Sequence, residues 1–232
     1  LGCPAVFKIK AVYESKDSQS PVIPHFSYTN LVGSYAINQI ITGASSGAKA
    51  QIVSFDSNYV YYVMLTDTLF DNAEIITTET TSARIVANSI VLGSSNVTSA
   101  YELDNGQREQ YYDYSRLVRK SGYAAPTHKL LVIFDRFVTT GGDGFYTVDS
   151  YSSEVYKEIP TFAEFPLRNV LDFRPMVPSL ISGSGTRLSP FEHTSSGKLD
   201  FDNRDFTGNF VGLPGQSDTT ILSYEYYLGR TD

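Results

Sequence analysis

Residues 35–49, YAINQIITGASSGAK, are followed by a second copy at residues 70–84, FDNAEIITTETTSAR, and this repeat is the strongest indication of the fold. The copies align without a gap at a separation of 35 residues. The matched positions are Tyr35 with Phe70, Gln39 with Glu74, Ile40-Ile41-Thr42 with Ile75-Ile76-Thr77, and Ala48-Lys49 with Ala83-Arg84. Each copy has a leading aromatic residue, a β-branched triplet and a turn rich in Ser, Thr or Gly. The repeat therefore predicts a duplicated β-hairpin.

Three further short apolar segments extend this pattern to five strands. Residues 50–55, AQIVSF, and 84–89, RIVANS, follow the two turns, and residues 60–65, VYYVML, lie between the copies. A sheet of short strands removes its exposed edges by closing on itself. We therefore expect a small five-stranded β-barrel domain at residues 31–92, inserted into a second domain made of residues 1–30 and 93–232.

The second domain is predicted to be an antiparallel β-sandwich-like unit, so the fold class is all-β. Residues 5–14, AVFKIKAVYE, form one expected strand. Residues 129–138, KLLVIFDRFV, are apolar on both faces at their start, as in a central strand. The turn TTGGDG then leads into residues 145–151, FYTVDSY, which predict the returning strand of a hairpin.

The composition agrees with a β-rich chain and excludes several classes of function. Among 232 residues there are 17 Tyr and 14 Phe, residues that favour strands. The net charge of -7 argues against a nucleic-acid partner, and the single cysteine excludes an internal disulfide. The longest apolar run, residues 130–134, is too short to cross a bilayer, so no membrane insertion is expected. Because both ends lie close to predicted strands, we expect the chain to be part of a longer polypeptide.

No arrangement of residues indicates an enzyme, a metal site or a cofactor. Acidic pairs such as Asp143 with Asp149 and Glu154 with Glu158 fall in predicted turns. The chain has no Trp to serve as a sugar platform, which weakens the case for a glycoside hydrolase. Histidines 25, 128 and 193 are far apart in sequence. We therefore predict no catalytic residues, no cofactor and no bound metal.

Residues 101–120, YELDNGQREQYYDYSRLVRK, combine a turn with many tyrosines and arginines. Asp104-Asn105-Gly106 predicts a turn, and the spacing of the tyrosines that follow predicts one or two helical turns. Arg108 and Arg174 are expected to hold turns through hydrogen bonds to carboxylates or carbonyls. Aromatic side chains are enriched at protein interfaces. The candidate interaction surface consists of Tyr111, Tyr112, Tyr114, Phe191, Phe201, Phe206 and Phe210.

A resemblance to a known family begins with residues 101–120. This segment, followed in order by KLLVIFDRF, GDGFYTVDSY, EIP and NVLDFRP, resembles a family of structural virion proteins of T4-like tailed bacteriophages, including cyanophages. Proteins of that family are associated with the tail fibre or baseplate. The resemblance implies a non-enzymatic structural segment in the virion tail that mediates assembly by contacting other tail or baseplate proteins, and a homo-oligomer there. The alternative is an attachment module that binds a receptor or a host surface glycan.

Overall fold

The computed structural model describes residues 1–139, 159–170, 172 and 174, and the backbone of strand β14. The described part is all-β and has almost no helix, as predicted from the sequence. Its helical segments are the single 3-10 turns Thr98–Ala100 and Leu167–Asn169. The predicted returning strand at residues 145–151 lies outside the described residues.

The strands, numbered in chain order, are β1 (Val6–Glu14), β2 (His25–Val32), β3 (Ile40–Gly43), β4 (Lys49–Phe55), β5 (Tyr59–Met64), β6 (Ile75–Thr77), β7 (Ser82–Ile85), β8 (Ser95–Asn96), β9 (Tyr101–Asp104), β10 (Arg116–Arg119), β11 (Leu130–Thr139), β12 (Thr161–Phe162), β13 (Phe165–Pro166) and β14 (Pro214–Tyr224). A four-stranded sheet has the order β14-β11-β1-β8, and β9 with β10 and β12 with β13 form two-stranded sheets. A closed antiparallel barrel has the order β2-β5-β4-β3-β6-β7, with β7 paired to β2.

The barrel has six strands, so the prediction of five was wrong. The additional strand is β2, which pairs with β5 on one side and with β7 on the other. Phe26 of β2 is fully buried, and its ring centroid lies 5.3 Å from that of Tyr62 and 5.7 Å from that of Phe70. The sequence of β2, HFSYTNLV, was not recognised as a strand, because prolines precede it and most of its outward positions are polar.

The two copies of the repeat form the hairpins β3–β4 and β6–β7. Leading aromatics and central isoleucines occupy matching buried positions: Tyr35 and Phe70 are 6% and 7% exposed, and Ile41 and Ile76 are 0% and 1% exposed. Strands β3 and β6 also pair with each other, and Thr42 faces Thr77 across that pair. The equivalent strands of the copies thus lie side by side.

The gapless alignment was wrong after the turns. Thr42 pairs with Lys49, whereas Thr77 pairs with Ser82, so residues 43–48 separate the last paired positions of the first hairpin and residues 78–81 those of the second. Because the second turn is two residues shorter, Ala50-Gln51-Ile52 corresponds to Ala83-Arg84-Ile85. A shared hydrogen bond agrees with this correspondence: Ile52 N donates to Gln39 O, and Ile85 N donates to Glu74 O, both at 2.9 Å.

The chain divides into two compact units. The first comprises residues 1–9, 99–124 and 134–220, and the second comprises residues 10–98, 125–133 and 221–232. The second unit holds the whole barrel. Within this unit, Val53 and Val63 on the outer face of the barrel pack with Ala11, Tyr13, Leu131 and Ile133. The barrel therefore buries apolar side chains on its outer face as well as in its interior.

Candidate functional site

The segment of residues 101–120 folds as a β-hairpin with a long loop, so the expected helical turns were wrong. Strand β9 pairs antiparallel with β10, from Tyr101 opposite Arg119 to Asp104 opposite Arg116. Inside the loop, Gln107 bridges to Tyr112, and Arg108 N donates to Tyr111 O at 2.9 Å. The tyrosines whose spacing suggested a helix lie in this irregular loop instead.

The Asp104-Asn105-Gly106 turn is closed by side chains of the same loop. The Asp104 carboxylate accepts from Gly106 N at 2.9 Å and from the Arg108 guanidinium at 2.9 and 3.2 Å. Gly106 has a φ of +78°, and a Cβ at this position would lie 2.2 Å from Asp113 O. Only glycine fits here, because it tolerates the left-handed region and leaves room for the opposing carbonyl.

Arg174 connects this loop to residues about sixty positions further along the chain. Its Nε and one terminal nitrogen donate to the Asp172 carboxylate at 2.9 and 2.8 Å. The guanidinium also donates to Arg108 O at 2.8 Å, to Gln107 Oε1 at 3.0 Å and to the Tyr112 hydroxyl at 3.2 Å. The Tyr112 hydroxyl in turn donates to Asp172 at 2.5 Å. We call Gln107, Tyr112, Asp172 and Arg174 the Arg174 cluster.

Two aromatic rings contact the guanidinium of Arg174. Its Cζ lies 4.6 Å from the ring centroid of Tyr112 and 4.2 Å from that of Phe162. Cation–π contacts of this kind are strengthened when they are shielded from water. The side chains of Arg174 and Asp172 are only 11% and 4% exposed. The cluster is therefore a nearly buried ion pair with aromatic walls.

The electrostatics of the cluster make it unsuited to proton transfer. Burial by itself would raise the pKa of Asp172, but hydrogen bonds from Arg174 and Tyr112 outweigh it and hold that pKa below its usual range. The pKa of Asp104 is also lowered, chiefly by the hydrogen bond from Arg108. A general acid or base works best with a pKa near the operating pH. These carboxylates stay ionised at neutral pH and instead hold the loop in place.

An open depression of about 520 Å³ lies beside the Arg174 cluster. Its apolar lining includes Phe162, Leu167 and Phe165, and Phe165 is 66% exposed. Glu109, Gln110, Val170, Asp172 and Arg174 complete the lining. Since both charged groups of the ion pair are satisfied by each other, the depression offers mainly apolar contact.

The sequence-predicted site residues fall into three groups. The turn residues Asp104, Asn105, Gly106 and Arg108 come together in the loop just described, and Arg174 is hydrogen-bonded to that loop. Tyr112 was wrongly assigned to the interaction surface, because it is only 5% exposed and its hydroxyl belongs to the Arg174 cluster. Tyr111 and Tyr114 are half-buried, so their role remains a prediction. The four candidate phenylalanines, Phe191, Phe201, Phe206 and Phe210, lie outside the described residues.

A second surface, on the outside of the barrel, was missed by the sequence analysis. It consists of His25 on β2, Tyr59 and Tyr61 on β5, and Asp56 in the turn before β5, and we call it the Asp56 surface. His25 and Tyr61 face each other across the paired strands. The alternation Tyr59-Val60-Tyr61-Tyr62 could have placed both tyrosines on one face. The contribution of His25 was hidden because β2 was not recognised as a strand.

Two further observations concern metal ligands and membrane-spanning helices among the described residues. In that part of the chain, no group of three or more His, Cys, Asp or Glu side chains could hold a metal ion. No helix within it is long and apolar enough to cross a membrane.

Comparison of the chain with protein-family models, with curated proteins and with solved structures found no significant match.

Proposed function

We propose that this chain is a non-enzymatic structural segment of a bacteriophage tail-fibre or baseplate protein that contacts neighbouring subunits during virion assembly. The proposal extends to its partners, which would be other tail or baseplate proteins and further copies of the chain. It also includes the architecture expected from the sequence, a β-sandwich-like unit that carries the barrel as an insertion.

The observation that carries this proposal is the use of the charged residues in the family-like segment. Arg108 and Asp104 are hydrogen-bonded to each other within the loop, and Asp172 and Arg174 are hydrogen-bonded to each other and to loop residues. The carboxylates have lowered pKa values and a guanidinium does not deprotonate in proteins. The charged residues of the segments that resemble the virion family are thus used to stabilise a loop, which supports a structural role.

Electron microscopy of virions tests the proposed location. Antibodies raised against this chain should place gold label on the tail tip or tail fibres of the phage that encodes it. The matched control is preimmune serum from the same animal. Label on the capsid, or particles that assemble and infect normally after removal of the coding region, would contradict the proposal.

A biochemical measurement tests the assignment as a non-enzyme. The purified chain should release no reducing sugar from host surface polysaccharide, and it should co-sediment with other tail proteins from a lysate of infected cells. If the chain cleaved polysaccharide, and substitution of one acidic pair abolished that cleavage, a structural role alone would be wrong.

A second candidate function is attachment to a host receptor or glycan. The Asp56 surface favours it, because exposed aromatic rings beside a polar group are a common arrangement in binding sites. A glycan array probed with the native chain and with Tyr59→Ala separates the two functions. Binding of one glycan class that is lost in the variant would support attachment.

A further inference from the structure

The turn between β4 and β5 fixes the position of a carboxylate on the barrel. Asp56 N donates to Tyr59 O at 2.9 Å, which closes the turn. Asp56 Oδ1 accepts from Asn58 N at 2.8 Å and from Tyr59 N at 2.9 Å. Side-chain acceptors of this kind stabilise turns. The carboxylate is thereby held beside the first residues of β5 rather than free to rotate.

Three aromatic rings pack against one another next to this carboxylate. The centroid of the His25 ring lies 5.5 Å from that of Tyr59, with an interplanar angle of 86°, and 5.2 Å from that of Tyr61. The centroids of Tyr59 and Tyr61 lie 6.3 Å apart. His25 Nδ1 contacts Ile23 O at 2.8 Å, which orients the imidazole. Because Tyr59 is 38% exposed, the ring cluster is accessible to a ligand.

The carboxylate of Asp56 keeps its negative charge and has capacity for another donor. Hydrogen bonds from the backbone N–H groups of Asn58 and Tyr59 hold the pKa of Asp56 below its usual range. Asp56 is exposed, and it forms no salt bridge with any residue of the described part. An ionised carboxylate can accept about four hydrogen bonds.

We propose that the Asp56 surface binds the guanidinium group of an arginine presented by a partner protein. Aromatic faces attract cations, and a planar guanidinium both stacks on rings and bonds a carboxylate in a bidentate manner. An ammonium group lacks the planar fork, so arginine fits better than lysine. The net charge of -7 favours association with a basic segment. As a subunit contact, this inference rests on the proposed function.

The charge of Asp56 distinguishes this proposal from sugar binding and from a purely local role. Closing the turn requires only a side-chain oxygen, which an asparagine would also provide. A neutral sugar hydroxyl would likewise bond an amide. The negative charge of Asp56 strengthens binding only when the ligand is positively charged. Among the described residues, no Lys, Arg or His side chain forms a salt bridge with Asp56.

A peptide titration on the full chain tests the proposal. The probe is acetyl-Gly-Arg-Gly-amide, with acetyl-Gly-Gln-Gly-amide as the uncharged control, and the readout is the NMR shifts of His25, Tyr59 and Tyr61. We expect the arginine peptide to shift these resonances and the glutamine peptide to leave them unchanged. Asp56→Asn keeps the turn acceptor but should weaken arginine binding about tenfold. Tyr59→Leu should also weaken it.

The matched control is Asp67→Asn, which removes an exposed carboxylate of the same unit that follows the end of β5, whereas Asp56 precedes its start. This variant should bind the arginine peptide like the native chain. Equal binding by Asp56→Asn, equal binding of the glutamine peptide, or no binding at all would overturn the proposal. Displacement of the arginine peptide by a neutral glycan would assign the surface to glycan attachment instead. None of these outcomes changes where the chain lies in the virion, so failure here is distinguishable from failure of the proposed function.

Discussion

Among single residues, Glu74 shows how one buried side chain can hold two parts of the barrel together. Its carboxylate accepts hydrogen bonds from N and Oγ of both Ser45 and Ser46, at 2.8 to 3.1 Å, and from Asp71 N at 2.7 Å. Glu74 belongs to the second copy of the repeat, whereas the two serines form the turn of the first. A Cβ on Gly43 would lie 2.3 Å from Ser46 Oγ and 2.5 Å from this carboxylate, so a larger residue there would displace the hydrogen-bonded side chains.

Replacement of Glu74 by glutamine should destabilise the barrel. The amide supplies one acceptor oxygen instead of two, so the partly buried donors that face the other oxygen lose their partner. We expect the free energy of unfolding to fall by about 1–3 kcal/mol in a urea titration. The control is Glu79→Gln in the turn between β6 and β7, where the side chain is exposed and the effect should stay within about 0.5 kcal/mol. Equal losses in both variants would contradict the role of Glu74.

The same carboxylate should make stability depend on pH. Burial by itself would raise the pKa of Glu74, but hydrogen bonds from Ser46, Asp71 and Ser45 outweigh it, and the folded pKa lies below the unfolded value. A group with a depressed folded pKa stabilises above its unfolded pKa, about 4.3 for glutamate, and loses this effect as the pH falls through the folded pKa. The free energy of unfolding should therefore decrease below about pH 5. Glu74→Gln should flatten this slope, and an unchanged slope would show that other groups cause it.

Arg174 has the corresponding role in the first unit. Replacement by methionine keeps the length of the side chain but leaves Asp172 buried without its counter-charge, and we expect a loss of about 3–5 kcal/mol in urea unfolding. Arg116→Met provides the control, since that guanidinium is 61% exposed and its pairing with Asp113 should contribute about 0–1 kcal/mol. Adding Asp172→Asn to Arg174→Met should restore part of the loss. If the double variant were no more stable than Arg174→Met, the unpaired charge of Asp172 would not be the cause of the loss.

At the scale of elements, the β9–β10 hairpin depends on one backbone position. Gly106→Ala should reduce stability by more than about 2 kcal/mol, because a left-handed residue costs about 1–2 kcal/mol and the new methyl group also meets Asp113 O. Gly122→Ala is a matched control: its φ is +87°, but nothing lies within 4 Å of the added Cβ. That variant should lose about 1 kcal/mol. Similar urea midpoints for the two variants would show that the close approach at Gly106 is unimportant.

At the scale of the whole molecule, the limits of the barrel decide which fragment can fold. Residues 22–94 contain all six barrel strands, and their ends are joined by Ser94 N donating to Val22 O at 2.8 Å. Residues 31–92, the domain limits expected from the sequence, lack most of β2. We expect the longer fragment to unfold cooperatively on heating in circular dichroism and the shorter one to show no transition. A cooperative transition in both would mean that β2 is not needed for closure.

The barrel also buries Val53 and Val63 on its outer face within the second unit. A separated 22–94 fragment would expose these side chains, so it should self-associate more than the full chain in sedimentation experiments. The inserted-domain limits of 31–92 and the outer domain of residues 1–30 and 93–232 remain predictions. The compact units are divided at different positions, and residues 10–14 of β1 and 130–133 of β11 group with the barrel.

The local elements could be predicted from the amino-acid sequence, because β-branched residues, a period of two and turn residues act over a few neighbours. Both Ile-Ile-Thr triplets, the Asp104-Asn105-Gly106 turn and strands β1, β4, β5 and β11 were recognisable for this reason, whereas the strand predicted at residues 84–89 shares only its first two residues with β7. Tertiary structure decided the closure of the barrel by β2, the two-residue difference between the turns, the meeting of Arg174 with Gln107, and the Asp56 surface. These features depend on hydrogen bonds and packing between residues far apart in the chain, and no local pattern encodes which distant partners will pair.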